Sequence, residues 1–391
     1  ARARWRADVA EVGRVGALRR AVGRLVREYP QESLAAARAY GAPVREEHGV
    51  GVARQCAESW WLRVRYDLSP AAYYRFQLYR AERWRQRALW VPGAQAGRLV
   101  RLAARGAPAQ ARCHEFEKAR FERWCGRHGL ACIPTLGVLD AARGAAGGAG
   151  GGAIDLPAVS LFSKPTNAQA GAGARRWVAV GAQRWREDGG VELDAATLCA
   201  ELMRQSAELG RPILVQPFVA NHPALQSLSR GGLATLRMLT LREPGAPSVV
   251  LCGILRLPAG DSATDNFDGG GLAADVSLDG ARVGPALRKS AAAACERHAV
   301  HPDTGGRIEG AVVPHWAGVL ALVRRGHDAL EEGHPPLIGW DVAVTENGPV
   351  LVEANNIPCS VGLQMVTGRP LGATAYPAAM LAYLNRHLPQ G

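Results

Sequence analysis

The chain has 391 residues, of which 48% are hydrophobic and 21% charged, enough apolar material for two or three domains and a large core. No apolar run approaches transmembrane length and no signal-peptide pattern opens the sequence, so a cytoplasmic protein without a transmembrane segment is expected. Eight cysteines without a Cys-x-x-Cys pair point to reduced thiols and away from a zinc site or a disulfide framework.

The net charge is +12, from 47 basic and 35 acidic residues. The basic excess gathers at the N-terminus and is nearly all arginine in an Ala- and Gly-rich background. It reads as a solvated helix face in preference to a nucleic-acid or acidic-lipid patch, with contact to a membrane surface left open. The same bias makes lysine informative. Lys118, Lys164 and Lys289 are the only ones, and a compact ammonium kept where Arg is the default suggests use as a point charge.

In chain order, Val9, Val12, Val15, Leu18, Val22 and Leu25 recur at helical spacing. Ser69-Pro70 looks like an N-cap with proline at the first helical position, opening one helix through AAYYRFQLYRAERWRQRALW. Its aromatic stripe, Tyr73, Phe76, Tyr79 and Trp84, reads as core. CHEFEKARFERWCGRHGL is a further helix, with Phe116, Phe121 and Trp124 apolar and Gly129 as its stop. Residues 142–153, ARGAAGGAGGGA, lack a Walker-type Lys-Ser/Thr and read as a surface loop.

AVSLFSKP forms a strand ending in Lys164-Pro165, and the chain returns as a second strand through ARRWVAV. A lysine at a strand end before a small-residue loop suits a phosphate clamp, although a plain hairpin loop has the same pattern. After a helix over 194–209, RPILVQPFV reads as a buried strand. GLATLRMLTL and VVLCGILRL follow as strands, and Arg237 and Arg256 inside them require an anionic partner, protein carboxylate or ligand phosphate. In DNFDGGG, Asp265, Asn266 and the glycine run would let backbone approach a ligand.

IGWDVAVTENGPVLVEANNIP, residues 338–358, is expected to be a hairpin around a three-residue loop, Glu346-Asn347-Gly348, with Gly348 left-handed. That register sets Asp341 opposite Glu353 and Trp340, Val342 and Val344 opposite Ala354, Val352 and Val350, leaving Leu351 with Glu353 and Asn355 on the polar side. Asp341, Glu353 and Asn355 then share one face. Like charges so close suit a hard cation such as Mg²⁺, or a solvated hairpin face.

The ordered set of Lys118 on a helix, Lys164-Pro165 before a small-residue loop, VQPFV, the buried arginines and Asp341…Glu353-Ala-Asn355 resembles the ATP-grasp superfamily. SPAAYYRFQLY, GLATLRMLTL, DNFDGGG and HPDTGGRIEGAVVPHW resemble its sugar-transfer associated group. The resemblance implies an α+β fold in which two subdomains grip ATP, over residues 109–391, with nucleotide clamping near 155–220 and a helical region over 1–108. It implies Lys118 and Lys164 on the phosphates, backbone of Gln216, Pro217, Phe218 and Val219 along adenine, and Asn266 in the cofactor site. Asp341, Glu353 and Asn355 (or Asn356) would hold Mg²⁺. Arg237 and Arg256 would stabilise transferred phosphoryl and oxyanion charge. The implied reaction is ADP-forming ligation of a small-molecule or peptide carboxylate to an amine through an acyl phosphate. A small-molecule kinase and a non-catalytic nucleotide-binding module remain alternatives, and no nucleic-acid partner is expected.

Overall fold

The computed structural model describes residues 2–93, 97–98, 100–101, 118–148, 154–166, 173–187, 190–229, 231–260, 265–289 and 296–387, with side chains at 2–12, 118–119, 145–146 and 148 excepted. Two compact units emerge. One comprises residues 1–99, 289–296 and 359–377; the other comprises 100–288, 297–358 and 378–391.

The first unit is helical: α1 (Arg2–Gly23), α2 (Tyr29–His48), α3 (Val52–Tyr66), α4 (Pro70–Arg75), α5 (Ala81–Arg85) and, later in the chain, α9 (Ser360–Thr367). The Val/Leu periodicity of α1 marks a helix, but the described part of its stripe faces outward: Val15 is 68% and Leu18 57% exposed, while Ala17 is fully buried. Ser69 caps α4 as expected, its hydroxyl accepting the Ala72 N–H at 3.3 Å. The helix does not continue through Trp90, however. It stops at Arg75, and Gln77 turns left-handed at φ 52°. The turn lets Tyr73, Phe76, Leu78 and Trp90 all enter one core, which a straight helix would have spread around its circumference. Gln55 anchors that core, donating to the carbonyls of Gly41 (3.1 Å) and Val50 (2.6 Å) and accepting from the Tyr74 hydroxyl (2.9 Å).

The second unit holds two seven-stranded sheets. The first runs β2-β1-β7-β3-β4-β5-β6, using β1 (Gly137–Asp140), β2 (Ala145–Gly148), β3 (Leu161–Pro165), β4 (Arg175–Gly181), β5 (Arg184–Arg186), β6 (Glu192–Asp194) and β7 (Ile213–Pro217). Part of the stretch expected to be loop is therefore strand β2, which folds back on β1 after Gly144 at φ 58°. Helix α7 (Ala195–Leu209) covers this sheet. Asp194 caps its start by accepting the Thr197 N–H at 2.8 Å, and Leu198 and Leu202 pack with Leu161, Trp177 and Trp185.

The second sheet runs β12-β11-β10-β9-β8-β13-β14, using β8 (Thr235–Leu241), β9 (Val249–Leu257), β10 (Leu272–Val276), β11 (Ala286–Arg288), β12 (Glu296–His298), β13 (Leu337–Thr345) and β14 (Gly348–Asn355). One face is the core: Leu236, Met238, Leu255, Ile338, Trp340 and Val342 pack with α6 (Lys118–Arg127) and α8 (Trp316–Asp328). Arg242 closes the far end of α8, donating to the carbonyls of His327 (2.9 Å), Asp328 (3.2 Å), Leu330 (2.9 Å) and Glu331 (3.3 Å). The last helix, α10, spans Tyr376–His387. No helix among the described residues is long and apolar enough to cross a membrane.

Candidate functional site

The hairpin of β13 and β14 pairs Asp341 with Glu353 and Trp340 with Ala354, as its sequence implies. Beyond that point the register differs. Val342 faces Leu351, Val344 faces Pro349 and Thr345 faces Gly348, so the loop is the two residues Glu346-Asn347, and Gly348 has φ 118°. A bulge between Asp341 and Val342 absorbs the shift, with Val352 as the extra residue of β14. Bulges re-aim side chains. Here the bulge sends Leu351 into the core (0% exposed) and leaves Val350 and Val352 half-buried, while Glu353 and Asn355 keep the polar side.

Residues directly opposite in antiparallel strands share a face. Asp341 of β13 is opposite Arg237 of β8 on one side and Glu353 of β14 on the other, and the three form a basic–acidic–acidic row across three strands. The partner required by the buried arginines is a protein carboxylate. Arg237 grips Asp341 with two nitrogens, Nε on Oδ1 and Nη2 on Oδ2, the latter at 2.8 Å. Arg256 of β9 adds Nη2 to Asp341 Oδ2 at 2.8 Å and lies 3.3 Å from Asp265 Oδ2. The Asp341 side chain is only 4% exposed. Burial alone would push its carboxyl up, but Arg237 and Arg256 together hold it well below the usual carboxylate range. Burial likewise opposes the Arg237 charge, and Asp341 overrides it. Burial raises the Asp265 carboxyl, against the pull of Arg256.

A narrow crevice in this unit, with room for about one water molecule, is lined by Lys164 and Gln216 from the first sheet, Val352 and Glu353 from the second, and Glu122 and Thr135 beside them. Lys164 sits in β3 opposite Leu214 of β7. Glu122, which sequence reasoning passed over, accepts the Thr135 N–H at 2.8 Å and so fixes the crevice wall. The Gln216 side chain donates to the Ile133 carbonyl at 3.3 Å. The Phe218 N–H is donated to Ser160 at 2.7 Å, and the Arg176 guanidinium stacks 4.1 Å above the Phe218 ring. Pro217 ends β7 and Val219 follows Phe218. Lys118 is the first described residue of α6, but its side chain falls outside the described residues, as does most of the 166–174 loop.

Asn266 caps its own turn: Oδ1 accepts the Asp268 N–H at 3.2 Å, and its carbonyl accepts the N–H groups of Gly269 and Gly271, each at 3.0 Å. The glycine run serves that fold. A Cβ on Gly271 would stand 2.9 Å from the Asn266 carbonyl oxygen, and Gly270 has φ 98°.

Asp341, Glu353 and Asn355 bring side-chain oxygens to one face, but among the described residues no three His, Cys, Asp or Glu side chains converge as a metal site. A carboxylate offers about four acceptor positions; Asp341 has three guanidinium bonds, one on Oδ1 and two on Oδ2. It stays ionised, and Glu353 lies within hydrogen-bonding reach as its fourth partner. Glu353 is half-buried beside it at the crevice, and Asn355 lies within reach, its Nδ2 3.4 Å from Glu353 Oε1. Thus Asp341, Glu353 and Asn355 come together with Arg237 and Arg256, and Lys164 and Gln216 share the crevice of Glu353.

A model described as sugar-transfer associated ATP-grasp matches residues 116–375. The chain is similar to the solved D-alanine–D-alanine ligase from Helicobacter pylori, at 13% identity over 73% of this chain and 62% of that one, with a TM-score of 0.37. It is similar to an L-amino acid ligase from Bacillus licheniformis, at 12% identity over 72% and 53%, TM-score 0.38. With D-cycloserine synthetase DcsG it shares 16% identity over 75% and 82%, TM-score 0.38. It thus spans less than two thirds of the first two. No curated protein matches the chain. The family match takes in about two thirds of the residues, and this α+β chain, with its helical N-terminal region, belongs to the sugar-transfer associated ATP-grasp family and has the ATP-grasp fold.

Proposed function

We propose that the chain is an ADP-forming, ATP-dependent ligase that joins a small-molecule or peptide carboxylate to an amine through an acyl phosphate. One observation carries the reading: Lys164, Gln216 and Glu353 line a single crevice, and Glu353 continues into the Asp341–Arg237 row.

Phosphoryl transfer asks a protein for positioning and charge neutralisation more than for covalent help. Lys164, joined by Lys118, would neutralise the phosphates as a point charge. The strand end from Gln216 to Val219 would border adenine. Because the Phe218 N–H is already donated to Ser160, hydrogen bonding to the base falls to its neighbours. Asp341, Glu353 and Asn355 would hold Mg²⁺, which neutralises charge on the β- and γ-phosphates. Arg237 and Arg256 each spend the Nε/Nη2 edge on protein acceptors, and among the described residues neither Nη1 has one. Those Nη1 groups suit the oxygens that gain charge as the acyl phosphate forms and as the amine attacks its carbonyl. Burial strengthens such interactions by lowering the local dielectric.

The test is ADP and phosphate release from Mg-ATP across a panel of carboxylates, with and without amines. Release that requires both substrates supports ligation. ADP release with a hydroxyl acceptor and no amine would indicate a kinase instead, and nucleotide binding without turnover on any pair would indicate a non-catalytic module.

A further inference from the structure

Arg256 is held by a part of the site that the carboxylate row does not include. Thr235 of β8 lies directly opposite Arg256 of β9. Its hydroxyl accepts from Arg256 Nη2 at 2.7 Å and from Nε at 3.2 Å, and it donates to Asp265 Oδ2. A hydroxyl has one hydrogen and two lone pairs, so all of the Thr235 hydrogen-bonding capacity is committed. The direction of its proton is set by Asp265, whose side chain is 13% exposed. Asp265 is in turn delivered by the tight turn closed on the Asn266 carbonyl. Arg256 Nη2 therefore meets three acceptors, on Thr235, Asp341 and Asp265, while among the described residues Nη1 meets none.

We infer that Thr235 and Asp265 form a positioning couple that locks the guanidinium plane of Arg256 and aims Nη1 at the oxygens of the transferring group. The catalytic consequence rests on the ligase reading; the locking itself does not. Without the Thr235 hydroxyl, the Nε/Nη2 edge keeps only carboxylate oxygens reached by Nη2, and the plane can swing about that single nitrogen. Asp265 touches no reacting atom in this scheme. Its carboxylate orients the hydroxyl that orients the arginine.

The experiment compares Thr235→Val, which removes the hydroxyl and keeps the shape, with Thr235→Ser, which keeps the hydroxyl. Arginine Nε–Hε NMR reads the locking without any turnover, with the Arg256 signal assigned by its loss in Arg256→Lys. Slow guanidinium rotation is expected in wild type and Thr235→Ser, and fast rotation in Thr235→Val. On the substrates that support ADP release, Thr235→Val should lower kcat by about 100-fold, the usual scale for a misplaced catalytic group. Mg-ATP analogue binding should stay within about threefold, because Arg256 acts on charge that develops later. Unchanged Arg256 dynamics in Thr235→Val would overturn the inference. So would a Thr235→Ser variant as impaired as Thr235→Val, since shape and not the hydroxyl would then matter. Wild type that locks Arg256 yet neither binds nucleotide nor releases ADP would remove the ligase reading and leave the couple standing.

Discussion

Replacing Asp341 with asparagine isolates what the buried row contributes to stability. The carboxylate is 4% exposed, while Arg237 and Arg256 are 13% and 16% exposed, so little water can reach the charges left behind. Asparagine keeps one acceptor oxygen, but its NH₂ points a donor at guanidinium donors. Removing one partner of a buried ion pair costs about 3–5 kcal/mol, and the retained oxygen places the expectation near the low end, about 3 kcal/mol. At ~2–4 °C per kcal/mol for a unit of this size, the transition of the two-sheet unit should fall by about 6–12 °C. Glu353→Gln is the internal control. Glu353 is half-buried, and its loss should cost under about 1 kcal/mol. Urea titration at pH 7 with a common m-value separates the two. The pH dependence follows the sign of the shift. A carboxyl held below its ordinary value of ~3.9 contributes stability that is complete above that value and is lost as pH falls toward the folded one. The wild-type advantage over Asp341→Asn should therefore persist from pH 7 to about pH 5 and shrink below. A cost under about 1 kcal/mol, equal to that of Glu353→Gln, would refute the reasoning.

Three other outcomes follow from the same structure. Burial, with Arg242 and His334 nearby, pulls the His327 imidazole down to about 3, while Thr240 Oγ1 sits 2.7 Å from its Nδ1. The unfolded chain binds that proton first, so stability should begin to fall below about pH 6.5, by up to ~1.4 kcal/mol per pH unit. Denaturant titrations at pH 7, 6 and 5 should show a shallower decline for His327→Gln; parallel curves would contradict this. A Cβ on Gly306 would stand 2.0 Å from the Ser227 carbonyl oxygen, so Gly306→Ala should cost at least about 1–3 kcal/mol in urea, and a neutral result would mean that the backbone yields. Gln55→Leu strands the Gly41 and Val50 carbonyls and the Tyr74 hydroxyl, and the helical unit should lose about 2–5 kcal/mol by circular dichroism; a loss under 1 kcal/mol would count against the network.

How much of this was legible in the sequence differs from residue to residue. The Asp341–Glu353 pairing was legible, because a tight turn and two alternating strands leave few registers. The bulge was not: Val350, Leu351 and Val352 are all apolar, and only packing decides that Leu351 goes inward. The need for a counter-charge at Arg237 and Arg256 could be read from their apolar strands. That both would meet Asp341 could not, since it depends on β8 lying between β9 and β13, strands distant in sequence. Thr235 offered one overlooked signal, its place two residues before Arg237 on the same strand face. The break after Arg75 was hidden because Gln77 is an ordinary helix residue, yet it stands left-handed between the buried Phe76 and Leu78.

Calorimetric titration of a non-hydrolysable ATP analogue, with and without Mg²⁺, tests the central claim most directly. Wild type is expected to bind and to bind at least about tenfold more tightly with Mg²⁺, while Lys164→Met weakens binding and Glu353→Gln abolishes the Mg²⁺ effect. Mg²⁺-dependent binding that is undiminished in Glu353→Gln, or no binding by wild type, would contradict the account.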